Sequence, residues 1–231
     1  MNLFYSNKIT PENIAFDTAE LQHLKVMRAE VGDTINVMDG KGNLYETQLL
    51  TIDKKLAIAK IINKENPDND KPYQLHLAIA PTKSNDRIEF LLEKAIELGV
   101  DEISFLKTER TEKKFLKPER MHKVLLAACK QSICLNFPIL NFDVPFKNIV
   151  EMESSNKFIC HCLDQDKKIS LKEQKEGNFL ILIGPEGDFS PKEIEIATKA
   201  GFQSLDLGKS RLRTETAGIY VCAALRNNNS L

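Results

Sequence analysis

The sequence predicts an α/β fold, a mostly parallel sheet flanked by helices, preceded by a small barrel-like β domain. Three observations carry this expectation. From Gln74 onward, short apolar runs that suit buried strands alternate with segments of helical period, the pattern of a parallel sheet with crossover helices. Before Lys64, short strand-like runs instead surround a single helical segment, which suits a compact β domain. The third observation is the stretch from Leu180 to Leu225, where a strand twice enters a polar loop that leads into a helix. Loops at the carboxyl ends of parallel strands are where open α/β sheets hold ligands.

The N-terminal part opens with a strand at Leu3-Phe4-Tyr5. A helix is predicted from Thr18 to Glu30, with Asp17 and Glu20 as its cap pair and Leu21, Leu24 and Val31 on the inward side. Strands at Thr34 to Met38 and Leu44 to Leu50 flank Asp39-Gly40-Lys41-Gly42-Asn43, a strong hairpin signal, and Leu56 to Ile62 supplies another strand. The polar, proline-bearing run from Lys64 to Pro72 lacks periodicity and marks the boundary between domains at 1–70 and 71–231.

Beyond it, Gln74 to Ala80 reads as a strand. It leads through Pro81-Thr82-Lys83 to a helix carrying Ile88, Leu91, Leu92, Ala95 and Ile96 on one face, stopped by Gly99. Asp101 to Leu106 is the next strand and Pro118 to Lys130 the next helix, with Met121, Val124, Leu125 and Ala128 inward. Between them runs the clearest basic segment: Lys107, Arg110, Lys113, Lys114 and Lys117, continuing to Arg120 and Lys123. Such a run is ordinarily a solvated surface, but this one follows the carboxyl end of a strand, on the ligand side. Further strands are expected at Ile139 to Phe142 and Lys157 to Leu163.

The organising stretch follows. The strand Leu180-Ile181-Leu182-Ile183 runs into Gly184-Pro185-Glu186-Gly187-Asp188-Phe189-Ser190, and a helix begins with Ser190, Pro191 and Glu193 at N-cap, N1 and N3, a capping box. After Gly201 the strand Ser204 to Leu207 enters a second polar loop from Gly208 to Thr216. A last helix, apolar on nearly every side, spans Ala217 to Leu225. Read alone, the glycines and the Arg213/Glu215 pair fit either a ligand crevice or two ordinary turns with a surface ion pair. Neither a P-loop nor a dinucleotide fingerprint is present, since Gln203 stands where the former needs glycine.

Composition bounds the rest. A chain of 231 residues with 42% hydrophobic content is globular, as one large domain or a small and a medium one. Five cysteines, an odd number, and an amino terminus without a basic or apolar leader indicate a cytoplasmic protein with reduced thiols. No apolar run reaches membrane-spanning length. Cys160-His161-Cys162 invites a metal reading, but strand alternation puts His161 opposite both cysteines and no second ligand pair is present. Buried strand thiols and no metal are expected, with Cys129 and Cys134 as core or helix-end residues. The net charge of −1 means that any RNA contact is local.

The motifs Leu182-Ile183-Gly184-Pro185-Glu186-Gly187 with Phe189-Ser190 and Glu193, then Leu207-Gly208 and Leu212-Arg213-Thr214-Glu215-Thr216-Ala217, resemble the RsmE family of 16S ribosomal RNA uridine N3-methyltransferases. The resemblance continues through Lys83, Glu89, Lys94-Ala95, Glu97 to Val100, Glu109-Arg110 and Gln131-Ser132, and in the N-terminal part through His23, Val26, Arg28 and Asp39-Gly40. It implies a C-terminal SPOUT-type α/β methyltransferase domain with a trefoil knot, an exception to the rule that chains are unknotted, and a PUA-like β-barrel in front. It implies S-adenosyl-L-methionine as cofactor, held by backbone around Leu182, Ile183, Gly184, Pro185, Glu186, Gly187, Leu207, Gly208, Leu212, Thr214 and Thr216. It further implies 16S ribosomal RNA, within the small ribosomal subunit, as partner, contacted by His23, Arg28, Lys83 and Arg110. Two departures stand out: Ile133 to Phe137 replaces a usually basic stretch, and Asp188 replaces a usual second glycine.

Uridine N3 keeps its imide proton at neutral pH, so its methylation needs a base and a positive charge. Glu215 is the expected base, and Arg213 the group that stabilises charge on a neighbouring carbonyl oxygen. The apolar last helix implies a homodimer. The alternatives are methylation of a ribose 2′-hydroxyl, whose knotted catalysts carry Ser and Asn in the last motif, and a non-catalytic RNA-binding assembly factor.

Overall fold

The computed structural model describes residues 3–67, 71–112, 115–163, 168–173 and 176–228. Lys113 and Lys114 of the basic segment and Asp68 to Asp70 of the expected linker lie outside them. The chain divides into two compact units, Met1–Asn69 with Cys129–Phe137, and Asp70–Ala128 with Pro138–Leu231.

The first unit holds β1 (Leu3–Tyr5), β2 (Lys8–Ile9), β3 (Asn13–Phe16), α1 (Thr18–Val26), β4 (Thr34–Met38), β5 (Leu44–Ile52) and β6 (Ala57–Glu65). They form one sheet in the order β1-β4-β5-β6-β3-β2. Its two edge strands are joined by Ser6 and Asn7 alone. Six strands laid flat would span about 24 Å, whereas three Cα steps reach about 11 Å, so the sheet must curl. Ser6 sits at the seam, its backbone N–H donating to Met38 O (3.1 Å) and its hydroxyl to Ala15 O (2.6 Å). Phe4, Ile14, Phe16, Leu21, Leu24 and Val37 fill the inside.

Helix α1 is capped by Asp17, whose Oδ1 accepts from Ala19 N (3.0 Å) and Glu20 N (3.1 Å). Glu20 is not a cap partner; it is buried against Lys130 and against His23 Nδ1 (3.3 Å). The helix ends at Val26 rather than Glu30. Arg28 takes φ +55°, and the N–H groups of Ala29 and Arg28 return to Leu24 O and Lys25 O, closing a Schellman turn that leaves Val31 exposed rather than inward. Strands β2 and β3 were not anticipated, because Lys8–Ile9 and Asn13–Phe16 are too short to show a period.

The second unit runs β7 (Tyr73–Ile79), α2 (Asn85–Glu97), β8 (Glu102–Lys107), α3 (Pro118–Ser132), β9 (Ile139–Pro145), α4 (Phe146–Val150), β10 (Asn156–Cys160), β11 (Ile169–Ser170), β12 (Gly177–Ile183), α5 (Pro191–Lys199), β13 (Gln203–Asp206) and α6 (Thr214–Asn228). All seven strands pair in parallel, in the order β11-β13-β10-β12-β7-β8-β9. One face is covered by Phe146, Ile149, Phe189, Ile194 and Ala197 packed on Ala78, Leu180 and Leu182. A sheet covered on both faces explains why β12 reads as a continuous apolar run. No described helix is long and apolar enough to cross a membrane.

Segment Cys129–Phe137, the end of α3 and the turn after it, belongs to the first unit. Phe137 lies 5.2 Å from the Tyr5 ring and fills the space where Gly40 would carry a Cβ, 2.7 Å from that position; its N–H donates to Gly40 O. Here too a Schellman turn ends the helix, with Cys134 N donating to Cys129 O (2.9 Å) across Ile133 at φ +57°. A β-branched residue is strained in that conformation and this one is exposed, so Ile133→Gly is expected to raise unfolding free energy by about 1 kcal/mol in urea melts.

In the second unit His76 is largely buried, with Nε2 2.8 Å from Ser104 Oγ and 3.6 Å from Glu102. Burial, opposed by Glu102, pulls its pKa below the ordinary 6.5. The folded ring therefore stays neutral where the unfolded one takes a proton. Its contribution is complete above 6.5 and is lost as pH falls toward the lower folded value. Urea melts on either side of that value should show wild type losing more stability in acid than His76→Gln.

Candidate active site

Strand β12 delivers five buried residues, Phe179 to Ile183, to the sheet's carboxyl edge, where the chain turns at Gly184. A Cβ on Gly184 would stand 3.1 Å from both the Phe189 ring and the Phe189 nitrogen, so the loop folds tightly against itself there. Pro185 O accepts from Asp188 N (2.9 Å), and Asp188 adopts φ +62°. The conformation suits the usual glycine, and aspartate holds it with its own carboxylate: Oδ1 accepts from Phe189 N (2.7 Å) and Oδ2 from Cys162 N (2.8 Å).

Three outside groups brace this loop. Arg110 Nη1 donates to Gly187 O (2.9 Å) and Phe189 O (3.4 Å). Glu186 Oε1 accepts from Lys83 N (3.0 Å). The capping box of α5 is present, Ser190 N donating to Glu193 Oε2 (2.9 Å) and Glu193 N to Ser190 Oγ (3.3 Å), while Glu193 Oε1 also accepts from Glu109 N (2.8 Å). A local helix signal thus doubles as the tie between the loop after β8 and the loop after β12.

The second loop leaves β13, turns at Gly208 (φ +100°), and enters α6 at Thr214. The two loops meet where Thr214 Oγ1 donates to Gly184 O (3.1 Å), a buried hydrogen bond. Helix α6 starts three residues earlier than expected, which places Glu215 in its first turn, where the helix dipole favours negative charge. Glu215 is 8% exposed and its Oε1 lies 3.6 Å from Arg87 Nε.

Together the loops and the ends of β10, β12 and β13 enclose a cleft of about 1130 Å³. Of the residues singled out in the sequence, Ile183, Gly184, Pro185, Glu186, Leu207, Gly208, Leu212, Arg213, Thr214 and Glu215 line it. Leu182 does not, being buried in the core; Gly187 faces Arg110; Thr216 is on the exposed side of α6. Lys83 is exposed beside Glu112 (2.7 Å). His23 and Arg28 lie in the first unit, the former packed on Phe4 at 4.4 Å. Three described residues of the basic segment are engaged: Lys107 with Asp143 (3.2 Å), Arg120 with Glu89 (2.9 and 2.6 Å), and Arg110 with the loop.

The sequence missed Arg87, His161, Cys162 and Lys168, which also line the cleft. Strand β10 stops at Cys160, so His161 and Cys162 leave the sheet. Cys160 is buried, as expected, but Cys162 is exposed, which corrects the expectation of two buried strand thiols. His161 Nδ1 accepts from Leu163 N (3.2 Å), so Nε2 carries the proton shared with Ser204 Oγ (2.8 Å). Burial, with the Asp188 charge, pushes the Cys160 thiol up to about 12 against the opposing Lys168. No metal-binding cluster of His, Cys, Asp and Glu occurs among the described residues. For Arg87 the signal was its place one turn before Leu91; nothing local names its partner.

The family model described as RNA methyltransferase domain matches residues 69–226, and the RNA methyltransferase PUA domain model matches 16–62. The chain is 30% identical to ribosomal RNA small subunit methyltransferase E of Mesomycoplasma hyopneumoniae (strain 232) over 227 residues, covering 96% of this chain and 97% of that protein. Among solved structures, a probable rRNA-methyltransferase from Porphyromonas gingivalis superposes with a TM-score of 0.93 at 33% identity, over 100% of this chain and 99% of that one. A ribosomal RNA small subunit methyltransferase E from Neisseria gonorrhoeae, bound to S-adenosyl methionine, superposes with a TM-score of 0.86 at 29% identity, over 98% and 97% of the two chains.

Proposed function

The chain belongs to the ribosomal RNA small subunit methyltransferase E family, and from that premise we propose that it methylates N3 of a uridine in 16S ribosomal RNA, using S-adenosylmethionine. The observation that carries the reading is the Thr214–Gly184 hydrogen bond, which closes both loops around one cleft with Glu215 and Arg213 on its lining.

The residues present fit the cofactor. The cleft volume exceeds that of a single nucleoside-sized ligand, leaving room for a target base. Its backbone is open at Gly208, where nothing lies within 4 Å of a Cβ position, and Ile183, Leu212 and Ala217 give the cleft apolar surface. Backbone around Ile183 to Glu186 and Leu207 to Thr214 would hold the nucleoside part. When bound, the donor supplies an activated methyl group on a sulfonium, whose C–S bond breaks as the N3–C bond forms.

The protein's own part is placement and proton handling. Glu215 accepts the N3 proton, and Arg213 stabilises the charge that develops on a uracil carbonyl oxygen. Arg110 and Glu193 keep the first loop in position, and an extruded uridine reaches the cleft from single-stranded RNA. His23, Arg28 and Lys83 contact the RNA, the domain at 1–70 acting as its barrel-shaped binding module and 71–231 as the catalytic domain. The chain from β12 to α6 is read as the threaded part of a trefoil knot; the insertion of β12 between β10 and β7 supports this. The enzyme works in the cytoplasm on the small ribosomal subunit.

Helix α6 presents Tyr220, 45% exposed, with half-buried Ile219, Ala223 and Ala224 beside it, and this stripe is the proposed homodimer face. Light scattering at micromolar concentration should give a dimer; a monomer contradicts it. To test the function, small subunits from cells lacking the protein are incubated with purified enzyme and cofactor, and the 16S nucleosides analysed by mass spectrometry. Appearance of 3-methyluridine is expected. A ribose 2′-O-methyl product, or no product despite cofactor binding in calorimetry, overturns the proposal.

A further inference from the structure

We propose that Arg87 is a positioning residue for Glu215: its guanidinium orients the carboxylate toward the cleft and takes over as the local positive charge once Glu215 is protonated. This rests on Glu215 acting as the base. An ionised carboxylate as buried as Glu215 is costly to keep without a cation, and among the described residues its ion-pair partner is Arg87 on α2 rather than the sequence neighbour Arg213. At 3.6 Å the Nε–Oε1 separation exceeds a charge-assisted hydrogen bond, so the oxygen keeps a lone pair for a further donor.

The pairing is built into the helix packing. Arg87 stands on α2 and Glu215 on α6, and one turn further along these helices Leu91 meets Gly218. A Cβ on Gly218 would lie 2.7 Å from Leu91 Cδ1 and 3.1 Å from Ile79 Cδ1, so glycine here lets the Leu91 side chain pack directly on the α6 backbone. That contact fixes which residues face each other one turn back, at the cleft. Arg87 is partly exposed and lines the cleft as well, so its charge is available to a bound base.

The proton balance gives the pair its function. The N3–H bond breaks, the proton passes to a Glu215 oxygen, and the electron pair stays on the uracil ring, shared with its carbonyl oxygens. Glu215 becomes neutral, and the Arg87 charge it had offset now faces an anionic ring. The guanidinium is therefore better compensated after proton transfer than the carboxylate's loss alone would suggest, which favours the transition state.

The test compares Arg87→Ala, Arg87→Lys, Glu215→Gln and the double variant Arg87→Ala/Glu215→Gln. Measured are kcat, KM for the RNA, and S-adenosylmethionine affinity by calorimetry. Arg87→Ala is expected to lose about 10²-fold in kcat, with KM and cofactor affinity within about two-fold of wild type. Arg87→Lys or added guanidinium ion should recover part of the loss, and the double variant should be no slower than Glu215→Gln alone. A loss confined to cofactor affinity makes Arg87 a cofactor anchor, and one confined to KM makes it an RNA contact; either overturns the proposal. Multiplicative losses in the double variant overturn it too. Unchanged turnover in Glu215→Gln removes the base assignment together with this proposal, whereas a loss there with full activity in Arg87→Ala removes this proposal alone.

Discussion

Glu215→Gln is expected to lower kcat by about 10²–10⁴-fold while leaving S-adenosylmethionine affinity nearly unchanged. The substitution keeps side-chain size, so the first turn of α6 and the Thr214–Gly184 hydrogen bond that closes the cleft remain in place. What it removes is the carboxylate proposed to accept the N3 proton, and with it the negative charge facing Arg87. Arg213→Ala should lose less, because Arg213 is exposed and the charge it is proposed to stabilise is already delocalised. Single-turnover kinetics beside calorimetry separate the two effects. Unchanged turnover in both variants would remove both roles and leave the cleft as a binding site whose chemistry lies elsewhere.

Phe189→Ala should be the most destabilising single change in the cleft loop, at about 3–5 kcal/mol in urea melts. The ring is 2% exposed, lies 5.7 Å from Phe146, and belongs to the core cluster with Leu182 and Ile194. It also occupies the side of Gly184 where a Cβ would stand, so its loss opens a cavity directly beneath the first loop. Cofactor affinity should fall with stability in this variant, and Phe189→Leu should soften both. A stability loss with unaltered cofactor affinity would mean that Asp188, Arg110 and Glu193 hold the loop without the ring.

Where local chemistry sets the structure, the chain could be read directly. Ser190, Pro191 and Glu193 announced a capping box that is present atom for atom, and the run Leu180 to Ile183 announced a strand buried on both faces. The two loops were visible for the same reason, since glycine, proline and short polar residues mark turns wherever the sheet lies. The limits of local reading show at α1, where the apolar spacing of Leu21 and Leu24 suggested a helix to Glu30. Arg28 instead accepts a left-handed turn that glycine would occupy more easily, and no residue type signals that in advance.

Partners far apart in sequence behaved differently. Arg213 and Glu215 are two residues apart, yet the ion pair forms with Arg87, because residues so close on a helix end point in different directions while α2 lies alongside α6. Glu193 bonding Glu109, Arg110 bracing Gly187 and Phe137 filling the space beside Gly40 are of the same kind. By itself the sequence determined the parallel α/β class, the strand-loop-helix units, the two loops that line the cleft and the family. The tertiary structure decided which side chains face one another across the cleft, which basic residues are already paired, and where segment 129–137 docks. The reason is physical: helical and strand periods and turn preferences are set within a few residues, whereas strand order and helix approach depend on burying surfaces contributed by the whole chain.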